Sequence, residues 1–595
     1  MCAVLDRILR IVVDQGRTAE RAYLACARPQ HVFTRRDAKD PSGNSAEFVI
    51  ISSLAEGADR LVAGAGLKAG FSLEVVLPFS RAEYRHDFET QESRAAYDEF
   101  LDRADSVFEL DGKRDESPRA YETAGFIMLH NTDLLIVIWD GNLAAGVGGT
   151  AQIISHAVGD GIPIVWIEPT NPDALRLSWS VRGEVPDADA YAPPTETFRN
   201  VNETDLTAAI RDILALPAQS EAQGSLMRYL HTKERRWNFC PWYPLLSWLF
   251  AGRPLRRSDF HLPPAVPDTK ERWHDYLNSL PGDRTQRPAI ENILLPACGI
   301  ADHLATYYAL VYRSTYIFNF LFAALAVVVA LNGVFIHEAT IKSYLVVAEL
   351  AVIAAILVTW LYGHRQQWHR RWLECRRLAE CVRHLRIFAP LGTAGSVERP
   401  RRSLDVAEED WINWYAWSLR RLLPLPDRVV DDEYLRKLRD VVRNVEINDQ
   451  IRYHKSNAAC MSRLDHRLHL SGQLLFGATA ALCIGFIGMA WSGTLDGLAQ
   501  SARDLVLSSL TFLTALLPTL GAALAAIHAQ GEFQVLADQS ARTAKRLMAI
   551  DKILAEEQPA FAVLVDRVEK TSDVMMSDLL EWHTIFRSRP LALPA

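Results

Sequence analysis

Four stretches of the chain, residues 317–336, 344–362, 474–491 and 505–527, hold 18 to 23 residues each with almost no charge. A helix rises about 1.5 Å per residue, so roughly 20 apolar residues cross the ~30 Å hydrocarbon core of a bilayer. Soluble helices keep a polar face; these runs have none. The stretches are paired across gaps of 7 and 13 residues, 337–343 and 492–504, which leave room only for tight turns. The sequence therefore predicts an all-α membrane domain with four transmembrane helices in two hairpins. Tyr344, Trp360, Tyr362 and Trp491 stand near the ends of the runs, where aromatic side chains suit the headgroup layer.

Basic residues set the expected orientation. Residues 364–386 hold seven arginines: Arg365, Arg370, Arg371, Arg376, Arg377, Arg383 and Arg386. Arg542, Lys545 and Arg546 follow the fourth stretch, whereas the two short turns hold only Lys342 and Arg503. The positive-inside rule predicts a multi-pass protein of the cell inner membrane, with both termini and the central segment cytoplasmic. Residues 5–13 do not read as a cleavable signal, because Asp6, Arg7 and Arg10 interrupt them.

The 595 residues carry a formal net charge of −8, which argues against nucleic acid as the main partner. Eight cysteines (Cys2, Cys26, Cys240, Cys298, Cys375, Cys381, Cys460 and Cys483) form no CxxC pair, and no metal site is expected.

Residues 46–167 alternate short apolar runs with helical patterns. Strands are expected at 48–52, 73–77, 132–139 and 163–167. Helices are expected at 61–67, 89–104, 121–131 and 151–158. This alternation implies an α/β head with a doubly wound parallel sheet, in which 132–139 (TDLLIVIW) would be the most buried strand. Ligands of such sheets bind beyond the carboxyl ends of the strands. Two turns lie there. In SSLAEGAD, Ser52 and Ser53 offer hydroxyls, Gly57 permits close backbone approach, and a helix N-terminus follows. In GVGGTAQ, Gly146, Gly148 and Gly149 precede a helix whose first turn carries Thr150 and Gln152. Unpaired N–H groups at both helix starts suit an anion. Asp140, at the end of 132–139, is placed to accept hydrogen bonds from a sugar or a base. Together the turns favour a nucleotide-derived ligand, with no further cofactor.

SSLAEGADRLVAGAGL resembles the SGLAxGID turn of DNA-processing protein A, and DLLIVIWDG…GVGGTAQII resembles the GGxGT turn of the cytokinin-activating LOG enzymes. Both belong to the SLOG superfamily of Rossmann-like nucleotide binders. The segment RRWLECRRLAECVRHL and the Tyr/Arg helices ahead of each hairpin (Tyr307, Tyr308 and Arg313; Tyr453, Lys455 and Arg463) resemble SLATT-type effector modules. The resemblance implies a bacterial anti-phage receptor-effector. A nucleotide second messenger would bind the head, and the hairpins would oligomerise into a pore and depolarise the membrane. The chain departs from the LOG pattern at Ile153, where those hydrolases carry a catalytic Glu, so no catalytic residue is assigned. It also opens in a helix at 5–13, where the family has its first strand. Glu56 and Asp59 are expected to cap the helix and bind ribose. The alternative is a membrane-tethered nucleotide or nucleoside hydrolase with Glu56 or Asp59 as general base; a transporter ranks third.

The expected organisation is a SLOG-like head at 1–170 and a linker at 171–300 with an aromatic interfacial segment (WNFCPWYPLLSWLF). The first hairpin with its basic helix follows at 301–390, a cytosolic helical region at 391–470, and the second hairpin with a C-terminal helix at 471–595. The two hairpins read as a weak internal repeat. Inside the second stretch, Glu349 is a candidate pore residue, a ring of carboxylates once several chains assemble; the other reading pairs it with Lys342 or lets it reach the outer surface. Homo-oligomers and membrane lipid are the expected partners.

Overall fold

The computed structural model describes all residues except 27–46, 143–147, 180–194, 218–219, 283, 337, 397–409, 496, 592 and 594–595. Gly146 therefore lies outside the described residues.

The chain opens with α1 (Cys2–Cys26) and then alternates: β1 (Val49–Ser52), α2 (Ala58–Lys68), β2 (Ser72–Leu77), α3 (Gln91–Asp102), β3 (Ser106–Glu109), α4 (Ser117–His130), β4 (Leu135–Ile138), α5 (Thr150–Gly159) and β5 (Ile164–Glu168). The α/β region continues past residue 170 through β6 (Asn171–Ser178), β7 (Arg199–Asn200) and α6 (Glu203–Leu214). Hydrogen bonding divides the strands into two four-stranded sheets. In the first, β1, β2 and β3 run parallel, and a distant strand, β8 (Arg428–Val429), adds itself parallel to β3. In the second, β4 and β5 are parallel while β6 and β7 return antiparallel, a mixed sheet where an all-parallel one is expected from the sequence.

β3 is buried throughout and β2 nearly so, as suits strands covered on both faces. Their two carboxylates are each satisfied: Glu74 accepts from the Leu425 N–H at 3.1 Å, and Glu109 from the N–H and Nε of Arg81 at 2.7 and 2.8 Å. β4, expected to be the most buried strand, is only half-buried over three of its four residues. The reason is a cavity of about 280 Å³ that separates its edge from the edge of β1.

Beyond the head, α7 (Trp242–Ala251) precedes α8 (Leu295–Leu331), α9 (Ala339–Arg365), α10 (Trp368–Phe388), α11 (Asp410–Arg421), α12 (Asn448–Trp491), α13 (Gln500–Gly531), α14 (Phe533–Glu556) and α15 (Phe561–Arg587). Among the described residues, four helices, which include α8, α9, α12 and α13, are long and apolar enough to cross a membrane. Large apolar side chains such as Val346, Leu350, Leu474, Phe476 and Ile484 point outward along them, a surface that water does not tolerate at this density. At about 1.5 Å per residue the 44 residues of α12 are longer than a bilayer core is thick, and its polar first half forms a stalk ahead of the apolar run.

The two hairpins share one plan. A π-helical turn leads into each first helix, Ile290–Leu294 before α8 and Val442–Ile447 before α12. Each second helix ends at a non-glycine residue in the left-handed region, Gln367 (φ 52°) after α9 and Glu532 (φ 48°) after α13. The chain then continues in the same direction, as α10 along the first half of α8 and as α14 along the first half of α12. The hairpins meet through α8 and α13. The weak repeat in sequence is thus a repeat in backbone conformation.

The head is bonded to this helical body at several points. Arg421 of α11 pairs with Asp133 at 3.1 Å, Arg420 donates to the His130 carbonyl at 2.9 Å, and Trp417 donates to Asp133 at 2.7 Å. The Val107 N–H donates to Asp427 just before β8, and the Phe561 N–H at the start of α15 donates to Asp111.

Candidate ligand site in the head

The turn after β1 is stapled by its own side chains. Ser52 Oγ accepts from the Leu54 N–H at 3.0 Å and donates to Asp59 Oδ2 at 3.3 Å, while the Ala55 N–H donates to the same oxygen. Leu54 adopts the left-handed region (φ 57°), a cost offset by complete burial of its side chain. Gly57 (φ 99°) then starts α2 with no side-chain cap. Burial pushes the Asp59 carboxyl above its ordinary range, although hydrogen bonds from Ala55 and Ser52 pull it back. Glu56 is exposed, and the Ser53 hydroxyl lies 3.5 Å from Met128 Sδ of α4.

The turn after β4 is braced differently. Gly148 (φ 84°) donates its N–H to Gln152 Oε1 at 2.6 Å, and Gln152 Nε2 donates to Glu122 on α4. A Cβ at Gly148 would lie 2.8 Å from Tyr121 Cβ and 3.0 Å from the Pro118 carbonyl oxygen, so only glycine fits. Gly149, at φ −75°, is extended backbone that any residue adopts; it begins α5 with no side-chain cap. Thr150 is exposed at that helix start. Asp140 closes an Asx turn on Asn142, whose backbone and side-chain N–H groups donate to it at 3.0 and 2.6 Å and hold its carboxyl below the usual range.

Both sequence-predicted turns are thus at carboxyl ends of strands, and both lead into helices whose first N–H groups lack a capping side chain. Ser52 and Asp59 come together, as do Gly148 and Gln152. Among the described residues no hydrogen bond joins one turn to the other; each touches α4, Ser53 near its end and Gly148 near its start. Gln152 is a buried brace for the glycine turn. Ile153 packs on Gly125 of α4, a helix contact with no chemistry of its own.

Sequence reasoning missed β3, and with it the loop that carries Arg114. That guanidinium pairs with Asp87, which also accepts from the Tyr121 hydroxyl beside Gly148. The signal was present in SVFELDGKRDESP, a short apolar run followed by a turn, but its polar ends hide it. Arg60, next to Asp59, lies over the Phe88 ring at 4.1 Å and donates to Leu54 and Ser93, locking α2 to α3.

A cavity of about 280 Å³ lies elsewhere, at the amino-terminal halves of β1 and β4, lined by Phe48, Ile50, Ile136, Asp133 and the arginines of α11. A second, more polar cavity of about 190 Å³ lies between the two hairpin stalks, bordered by Arg376, Glu380, His454 and Asp578. Burial raises the Glu380 carboxyl, but Arg376 and Arg383 outweigh it and hold the group down at about 2. Among the described residues no group of His, Cys, Asp and Glu is arranged to hold a metal. Glu349 is partly exposed on α9 and has no ion-pair partner among the described residues, Lys342 included.

No family model, no curated protein and no solved structure matches the chain.

Proposed function

We propose that the chain is a nucleotide-responsive membrane effector. A SLOG-type head in the bacterial cytoplasm binds a nucleotide second messenger, and two SLATT-type hairpins in the inner membrane assemble with other copies into a pore that depolarises the cell in anti-phage defence. Strand order supports the head assignment: β3-β2-β1, then β4-β5 across the cavity, is the order of a Rossmann-like sheet if read through the gap. The ligand class rests on two uncapped helix starts at strand ends, with Arg114 nearby. The observation that carries the proposal is β8. This strand, from the segment between the two hairpins, is an edge strand of the head's first sheet. A shift of that sheet on ligand binding would pull directly on the stalk of α12. Ligand affinity must differ between the two states for this to work.

A membrane-tethered nucleotide hydrolase is the second reading, favoured by the partly buried Asp59 with its raised pKa beside the exposed Glu56. One experiment separates the two. Purified protein in liposomes is given a nucleotide panel while ion flux and nucleotide consumption are followed together. Ligand-dependent flux without turnover is expected. Gly149→Glu, which strains no backbone, should abolish ligand binding, and Glu349→Gln should change ion selectivity or block flux while binding persists. Turnover without flux at any protein density would replace the effector reading with the hydrolase.

A further inference from the structure

The segment 233–261 makes a surface that the head does not use. α7 bridges the two hairpins at one level. The Tyr243 N–H donates to Ser314 Oγ of α8 at 3.1 Å, and the Trp242 ring meets Phe318 and Phe322 of α8 at 6.1 and 5.9 Å. At its other end the Ala251 carbonyl accepts from Arg463 Nε of α12 at 2.9 Å. Arg313 is the last charge before the uncharged run of α8, so α7 lies where that helix passes from polar to apolar surroundings.

One side of α7 is buried against these helices through Tyr243, Leu246 and Ser247. The other side presents Trp248 (53% exposed) and Leu249 (61%), joined by Trp237 (62%) and Phe239 (89%), whose rings stack at 6.3 Å. An antiparallel bridge between Trp237 and His261 holds this preceding loop in place. Exposed aromatic surface of this size is unfavourable in water and favourable at the level of lipid headgroups. Charge points the same way. In a chain of net charge −8, residues 233–261 hold six Lys and Arg side chains and two acidic ones. Arg256 and Arg257 are exposed and have no ion-pair partner among the described residues, whereas Arg253 pairs with Asp259.

We infer that α7 and its flanking loops lie in the plane of the membrane surface and bind anionic phospholipid headgroups, with Trp237, Phe239, Trp248 and Leu249 in the headgroup layer and Arg256 and Arg257 on the lipid phosphates. The inference rests on the reading that the four apolar helices cross a bilayer. Its occupant is fixed by continuity, because α7 is seated on the same stretch of α8 that begins the apolar span, and by the sign of the charge.

The test uses the full chain in nanodiscs of zwitterionic lipid, with and without phosphatidylglycerol. Lipids brominated just below the headgroup should quench wild-type tryptophan emission more than a Trp237→Phe/Trp248→Phe variant, whereas lipids brominated deep in the tail should not distinguish them. Arg256→Gln/Arg257→Gln should bind phosphatidylglycerol about thirtyfold more weakly, two charges' worth at a bilayer surface, with the Lys pair restoring most of the affinity. Equal shallow quenching in the two proteins, or unchanged phosphatidylglycerol affinity in the Gln pair, overturns the inference. Extraction of the chain from membranes by alkaline carbonate is followed in parallel. A chain that stays in the membrane while the first two readouts fail loses only this surface, and a chain that is extracted loses the four-span reading itself.

Discussion

At the scale of single residues, Asp59 sets stability against chemistry. Its carboxyl is raised by burial, so its contribution to stability is fully present below the unfolded value near 4 and is lost as pH rises through the folded value. At neutral pH the ionised group therefore costs stability. Asp59→Asn should stabilise the head by about 1 kcal/mol at pH 7, and the gain should shrink toward pH 4, measured by thermal unfolding across that range. If the same variant also loses ligand, the carboxylate is kept for function; a destabilised Asn variant at pH 7 would show that the Ser52 and Ala55 hydrogen bonds dominate. The glycines divide in a similar way. Gly148 is demanded by φ and by Tyr121, whereas nothing in the backbone demands Gly149.

At the scale of elements, the breaks after the two hairpins matter most. A non-glycine residue in the left-handed region costs roughly 1 kcal/mol or more, and Gln367 and Glu532 both occupy it where one helix ends and the next continues along the same partner. Gln367→Gly should be neutral or stabilising by up to about 1 kcal/mol, and Gln367→Val should destabilise by about 2 kcal/mol, because a β-branched side chain tolerates that backbone least. Denaturation in detergent reads both. Equal stability of the two variants would mean that the break is not at this residue. β8 teaches the opposite lesson about legibility. Two residues long and flanked by helices, it carries no period of its own; Val429 becomes a strand only because Glu109, far away in sequence, offers an edge.

At the scale of the whole molecule, two similar hairpin units are fused through α8 and α13 and topped by a head bonded to the segment between them. The proposed orientation rests on the arginines: single cysteines placed in 338–343 or 497–504 of a cysteine-free chain should react with an impermeant thiol reagent added outside intact spheroplasts, and cysteines in 364–386 should not. The reverse pattern would overturn the proposed cytoplasmic head. The buried pair Arg386–Glu446 links the return helix of the first hairpin to the π-turn of the second, so the two units are not independent.

The sequence by itself determined what depends on neighbours in the chain. Runs of about twenty residues with almost no charge suit a long apolar helix, so the four long helices were legible in their composition. The strands at 48–52, 73–77 and 163–167 and the two glycine turns were legible for the same local reason. Only the tertiary structure decided what depends on contacts between distant residues. It split the strands into two sheets, turned β6 and β7 antiparallel, and left β4 half-buried against a cavity. It also brought β8 to β3 and gave the two hairpins the same backbone plan although their sequences are only weakly alike. Packing of this kind is set by shape and hydrogen-bond satisfaction across the fold, and neither leaves a periodic mark on the chain.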